Sequence, residues 1–122
     1  MRRRAALAAV VVALLGPSCT GSSGTGGAGG GCPNDLPPAC PSNAPGYKAT
    51  IAPILGVACR SCHEPGGSSL HYLQTYDEVF ALRGPVLDQV YACKMPPSSY
   101  PALSPAERAD LLAWLVCGAP ND

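Results

Sequence analysis

Within five residues, Cys59-Arg60-Ser61-Cys62-His63, the chain places two thiols and an imidazole. Two residues between the cysteines put both sulfurs on one turn, and the histidine follows without a spacer. Shuffling a chain with 7 Cys and 2 His in 122 residues gives about 0.006 matches to this pattern, so composition alone does not account for it. Three plainer readings compete. A dithiol redox pair of this spacing belongs in a βαβ unit, and no period-2 strand lies near it. A zinc site would draw on Cys59, Cys62 and His71, but a second closely spaced Cys/His pair is missing. A disulfide between Cys59 and Cys62 would be strained.

The reading that uses all three side chains is covalent haem attachment, for which C-x-x-C-H is the signature. The thiols of Cys59 and Cys62 would add to the two vinyl groups of haem as thioethers. His63 would then lie under the iron as its proximal ligand. A sixth ligand has two candidates. Met95 is the only methionine besides the initiator, and Pro96 and Pro97 after it stiffen its loop. The alternative for Met95 is a gap-filling core residue. His71, eight residues beyond His63, is the rival ligand; it would lower the potential, because a thioether favours Fe(II) more.

The N-terminus explains the balanced charge of 8 basic and 8 acidic residues. Arg2, Arg3 and Arg4 precede an apolar run, Ala5–Leu15, too short to span a bilayer as a helix. Residues 1–18 therefore read as an export signal. Leu15-Gly16-Pro17-Ser18-Cys19 resembles a lipoprotein cleavage site with Cys19 acylated, although the leucine stands one position too early. Gly16 and Ser18 also fit ordinary signal-peptidase cleavage. Without the three arginines the chain is acidic, and no basic face suited to nucleic acid is evident. Seven cysteines in so short a chain point to an oxidising compartment.

Residues 20–31 contain only Gly, Ser, Thr and Ala after a Thr, a composition of flexible tethers. Residues 32–45 are proline-rich and irregular, so 19–45 reads as one tether, with a reach of about 28 Å for residues 20–45 if coil-like. A folded unit is expected over 46–118. Ile51, Ile54, Leu55 and Ala58 have helical spacing and lead into the motif, with Pro53 tolerable only in a first turn. Thr75–Glu78 reads as a capping box opening a helix to about Leu82. A second short helix is expected from Gly84, with Pro85 at its first position. Ser104-Pro105-Ala106-Glu107 is the strongest helix start, and that helix runs to about Val116 before Gly118 and Pro120. Strands of useful length are not expected.

With the motif, Met95-Pro96-Pro97 and the Leu111/Trp114/Leu115 helix in this order, residues 46–118 resemble a class I c-type cytochrome domain of the small bacterial monohaem kind. The resemblance implies an all-α fold wrapped around one haem c. It implies Cys59 and Cys62 as covalent attachment points, and His63 and Met95 as axial iron ligands. It also implies that the first and last helices cross, and that the chain transfers single electrons between redox-protein donors and acceptors without catalytic residues. Cys93 and Cys117 depart from that pattern. A core this small is marginal by itself, and a covalent haem would give its helices an apolar surface to pack on.

The expectation is thus an exported monohaem electron carrier in the periplasm or cell envelope. It is expected to be monomeric, anchored through an acylated Cys19, and neither an enzyme nor a nucleic-acid binder. The competing functions are a haem sensor or haem-enzyme subunit with an exchangeable sixth ligand, and a structural module held by zinc or disulfides. Trp114 and Tyr91 are expected as core aromatics rather than a haem-edge relay. Lys48, Arg83 and Lys94 are candidates for propionates or a partner, against the plainer reading of solvated charge. Cys32, Cys40, Cys93 and Cys117 allow three pairings, of which Cys32–Cys40 with Cys93–Cys117 is the expected one.

Overall fold

A computed structural model describes residues 32–122, so the expected signal segment, the Cys19 cleavage site and the tether to residue 31 lie outside the described residues. Among the described residues there are helices and no strands. A wide turn, Tyr47–Ile51, leads into α1 (Ala52–Ala58); α2 (Tyr76–Ala81), α3 (Arg83–Tyr91) and α4 (Pro105–Val116) follow.

Pro53 sets the entry to α1. It cannot donate to a carbonyl four residues back, and it sits in the first turn of α1, where that donor is not needed. The turn before it is wound wider, with the Ile51 N–H on the Gly46 carbonyl and the Ala52 N–H on the Tyr47 carbonyl. Pro85 does the same to the α2–α3 junction. A continuous helix would need its missing N–H on the Ala81 carbonyl, so the chain breaks at Leu82 and α3 restarts at Arg83. Pro85 is therefore the third residue of α3 and not its first, a position whose N–H is also unpartnered in any helix.

Both capping boxes form. The Thr75 and Ser104 hydroxyls accept from the Glu78 and Glu107 N–H groups, and each glutamate reaches back to the cap, worth about 1 kcal/mol per cap. At the other end of α4, Gly118 takes φ +83°, a conformation most side chains resist. Its N–H donates to the Leu115 carbonyl, and that of Ala119 donates to the Trp114 carbonyl. These two bonds form the motif that closes helices on a left-handed glycine.

The core lies where α4 meets α3 and the Tyr47–Ile51 turn. Ile51, Leu55, Val79, Leu111, Leu112 and Trp114 have no exposed surface. Trp114 packs on Tyr47 with ring centroids 5.6 Å apart, and Tyr47 meets Tyr76 edge-on at 5.1 Å. Burial of an indole of this size contributes about 4–6 kcal/mol. The C-terminal tail belongs to the same unit. The Trp114 Nε1–H donates to the Pro120 carbonyl, the Tyr76 hydroxyl to the Ala119 carbonyl, and the Tyr47 N–H to the Asp122 carboxylate.

The proline-rich stretch has no helix before Tyr47, and it is fastened to the folded unit as a strap. The disulfides are Cys32–Cys93 and Cys40–Cys117, with Cα separations of 5.7 and 4.6 Å. This corrects the expected pairing of Cys32 with Cys40 and of Cys93 with Cys117. The local pairs would have closed short loops. The observed ones span 61 and 77 residues and constrain the unfolded chain more, by about 4 kcal/mol each in the chain-entropy account. Arg108 completes the attachment. It is buried on α4, and its Nε and Nη2 donate to the two Asp35 carboxylate oxygens at 2.8 Å.

Candidate functional site

The residues of the motif occupy one turn at the end of α1. The N–H groups of Cys59 and Arg60 both donate to the Leu55 carbonyl, and those of Cys62 and His63 both donate to the Cys59 carbonyl. The loop after them folds back. The Ser69 N–H donates to the Cys62 carbonyl, and the Leu73 N–H to that of His63. Gly67 makes this return possible: a Cβ there would stand 2.3 Å from the Cys62 carbonyl oxygen. Arg60 ties the turn to the start of α2, its Nη2 donating to the Gln74 carbonyl at 2.8 Å.

Met95 comes from a separate segment, the loop that leaves α3. The N–H groups of Lys94 and Met95 both donate to the Gln89 carbonyl. Between the two segments lies a cavity of about 560 Å³, within the range of cofactor sites. Cys59, Cys62, His63 and Met95 all line it. Its remaining walls are mostly aliphatic, from Leu73, Leu82, Val86, Val90 and Leu103, with Gln89 and Tyr100 as the longer polar side chains.

The His63 ring is oriented. Its Nδ1 lies 2.7 Å from the His71 carbonyl oxygen. A carbonyl only accepts, so Nδ1 carries a proton, and the neutral tautomer with that proton has its lone pair on Nε2. The two free thiols differ. Burial, and secondarily the neighbouring Cys62, push the Cys59 thiol up to about 11. Cys62 is held below its usual value, chiefly by the Tyr100 hydroxyl and then by Ser68. Cys59 and Cys62 are not bonded to each other, while the other four described cysteines are paired.

The other sequence candidates are distributed as follows. His71 also lines the cavity, but its main chain sits against Nδ1 of His63, the ring edge away from Nε2. Trp114 and Tyr91 do not line it; their polar tips are satisfied on the Pro120 carbonyl and Asn34. Lys48, Arg83 and Lys94 do not line it either, and Arg83 instead lies over the Phe80 ring, 4.1 Å from its centre. Among the described residues no three Cys, His, Asp or Glu side chains gather as a metal cluster, so Cys59, Cys62 and His71 do not form the zinc set considered above.

Sequence reasoning missed Gly67, Gln89, Tyr100 and Arg108. The first three act through the folding of separate loops, which leaves no local pattern. Arg108 did leave one: it precedes Leu111, Leu112 and Leu115 by three, four and seven residues, which places it on the buried face of α4. No family model, curated protein or solved structure matches the chain.

Proposed function

We propose that this chain is an exported electron carrier with one covalently attached haem c. Cys59 and Cys62 form the thioethers, and His63 and Met95 are the axial ligands. The observation that carries this reading is the meeting of those four side chains, drawn from two separate segments, around one apolar cavity. The donor set fits the group: two unpaired thiols on one turn, an imidazole held at Nδ1, a thioether from a second segment on the same cavity, and aliphatic walls.

The haem supplies reversible one-electron exchange at its iron. The protein's part is to hold and tune it. Cys59 and Cys62 would hold it covalently at the turn after α1. The His71 carbonyl holds the His63 ring in one orientation and, by accepting its Nδ1–H, strengthens Nε2 as a donor. The apolar walls at Leu73, Val86 and Val90 would lower the dielectric around it. That disfavours extra charge and raises the potential. No acid–base or nucleophilic group is needed, because the exchange makes and breaks no bonds.

The disulfides agree with an oxidising compartment, and none of the described helices is long and apolar enough to cross a membrane. We extend the proposal to anchoring through an acylated Cys19 in the periplasm or cell envelope. The strap is fastened at Cys32, which leaves the 12 residues 20–31 of the sequence between it and Cys19. A domain carrying 5 basic and 6 acidic residues over 46–118 has little long-range steering, and anchoring raises its local concentration at membrane redox partners instead.

An absorption spectrum of protein made with haem-attachment machinery tests the reading. Sharp low-spin c-type bands on reduction are expected. A five-coordinate high-spin spectrum would instead support the sensor or enzyme reading. A protein that takes up no haem would end both.

A further inference from the structure

We infer that the Cys32–Cys93 disulfide, clamped by Arg108, is the device that positions Met95 at the cavity. The consequence at iron rests on the proposed haem site; the positioning does not.

Cys93 precedes Met95 by two residues, at the corner where the chain leaves α3. Its φ is +54°, in the left-handed region that residues other than glycine seldom adopt. Such a conformation persists where the surroundings over-determine it. Here they do. The Cys93 N–H donates to the Val90 carbonyl, and the next two N–H groups share the Gln89 carbonyl. The Cys93 side chain is bonded to the strap at Cys32. Arg108 then binds everything around that bond. Its guanidinium donates to the carbonyls of Val90 and Tyr91, holds the Asp35 carboxylate, and lies 3.5 and 3.8 Å from the sulfurs of Cys93 and Cys32. The strap, the end of α3 and α4 thus meet in one knot beside the methionine loop. Cys40–Cys117 has no such relation: Cys117 caps the end of α4, far along the chain from Met95, and the sulfurs that Arg108 approaches are those of Cys93 and Cys32.

Opening Cys32–Cys93 therefore frees the methionine loop while the packing of α4 stays closed. The test uses the full exported chain made with haem-attachment machinery. It compares Cys32→Ser/Cys93→Ser with Cys40→Ser/Cys117→Ser. Amide exchange of Lys94 and Met95 is read against that of residues 111–115, and carbon monoxide uptake is read on the reduced protein. The first variant should speed exchange at 94 and 95 at least tenfold with 111–115 unchanged, and should gain carbon monoxide binding at the sixth position. The second variant should change neither. Unchanged exchange at 94 and 95, or an equal rise in both variants, overturns the positioning role. If haem does not attach, the exchange result still decides the positioning, and only the haem reading falls. Should the first variant fail to fold, Asp35→Asn decides in its place, because it loosens the Arg108 clamp and leaves the disulfide. A rise confined to 94 and 95 supports the role, and no rise overturns it.

Discussion

On the α4 side of the molecule Trp114, Leu111 and Leu112 have no exposed surface, whereas on the cavity side Met95 and Tyr100 are 38% and 46% exposed. Both sides are apolar, and both are built from short helices. They differ in what closes them. The α4 side is closed by its own side chains and by the tail, down to the indole N–H on the Pro120 carbonyl. The cavity side is walled by aliphatic groups with two thiols, an imidazole and a thioether facing inward. A folding core excludes water with apolar side chains, and an imidazole beside two unpaired thiols on one turn adds nothing to that which aliphatic groups would not. Their concentration on one side separates the self-closed core from the part of the chain proposed to hold haem.

Truncation should expose that difference most strongly. Trp114→Ala should cost about 3–5 kcal/mol, a fall in Tm of roughly 15–30 °C for a unit of this size, read by thermal unfolding of the haem-free chain. A loss under about 1 kcal/mol would mean that the α4 side is not the stabilising half.

The two thiols give the next largest contrast, and it lies within the site. Cys59 is raised to about 11, while Cys62 is lowered by Tyr100 and Ser68. In haem-free protein near pH 8, an alkylating reagent should therefore modify Cys62 at least tenfold faster than Cys59, because the thiolate is the reacting form. Peptide mass mapping over time reads both sites. Equal rates would show that burial does not separate them.

Much of the α4 side was legible in the sequence because its signals are local. Ser104 with Glu107, Thr75 with Glu78, and Gly118 state their roles within a few residues, and the structure places a cap at each. The motif turn was legible for the same reason. What the sequence could not supply is long-range. The pairing of Cys32 with Cys93 spans 61 residues, and spacing cannot choose among three connectivities. The strap was read as tether because proline-rich composition reports the absence of helix, not the absence of attachment. Asp35 shows how: a single carboxylate in an irregular stretch carries no sign of a partner on α4 until the chain is folded.

Acid should weaken the strap and the helix starts together. Arg108 beside Asp35, through hydrogen bonds and charge, holds that carboxyl below its usual range. Bonds from the cap residues do the same for Glu78 and Glu107. A carboxyl lowered in the folded state contributes stability above its unfolded pKa, near 4, and loses it as pH falls through the folded value. Stability should therefore be level from about pH 7 to 5 and decline below about pH 4, as denaturant melts at stepped pH would record. Asp35→Asn should flatten part of that decline.

The smallest expected stability change is Met95→Ala in the haem-free chain, less than about 1 kcal/mol because the side chain is partly exposed. In the haem-loaded protein the same substitution should abolish the weak far-red iron–sulfur band and lower the potential. If the wild type lacks the band and His71→Ala alters the spectrum, the sixth ligand is His71. That pairing of a small effect on folding with a large one on the spectrum separates the two sides of the molecule within a single variant.

The most direct test of the central claim is whether haem is bonded to the turn after α1. Protein made with haem-attachment machinery should retain its colour through acidified organic extraction. Its peptide containing Cys59 and Cys62 should carry the mass of one haem. Colour lost to the solvent, with that peptide recovered unmodified, would contradict the account.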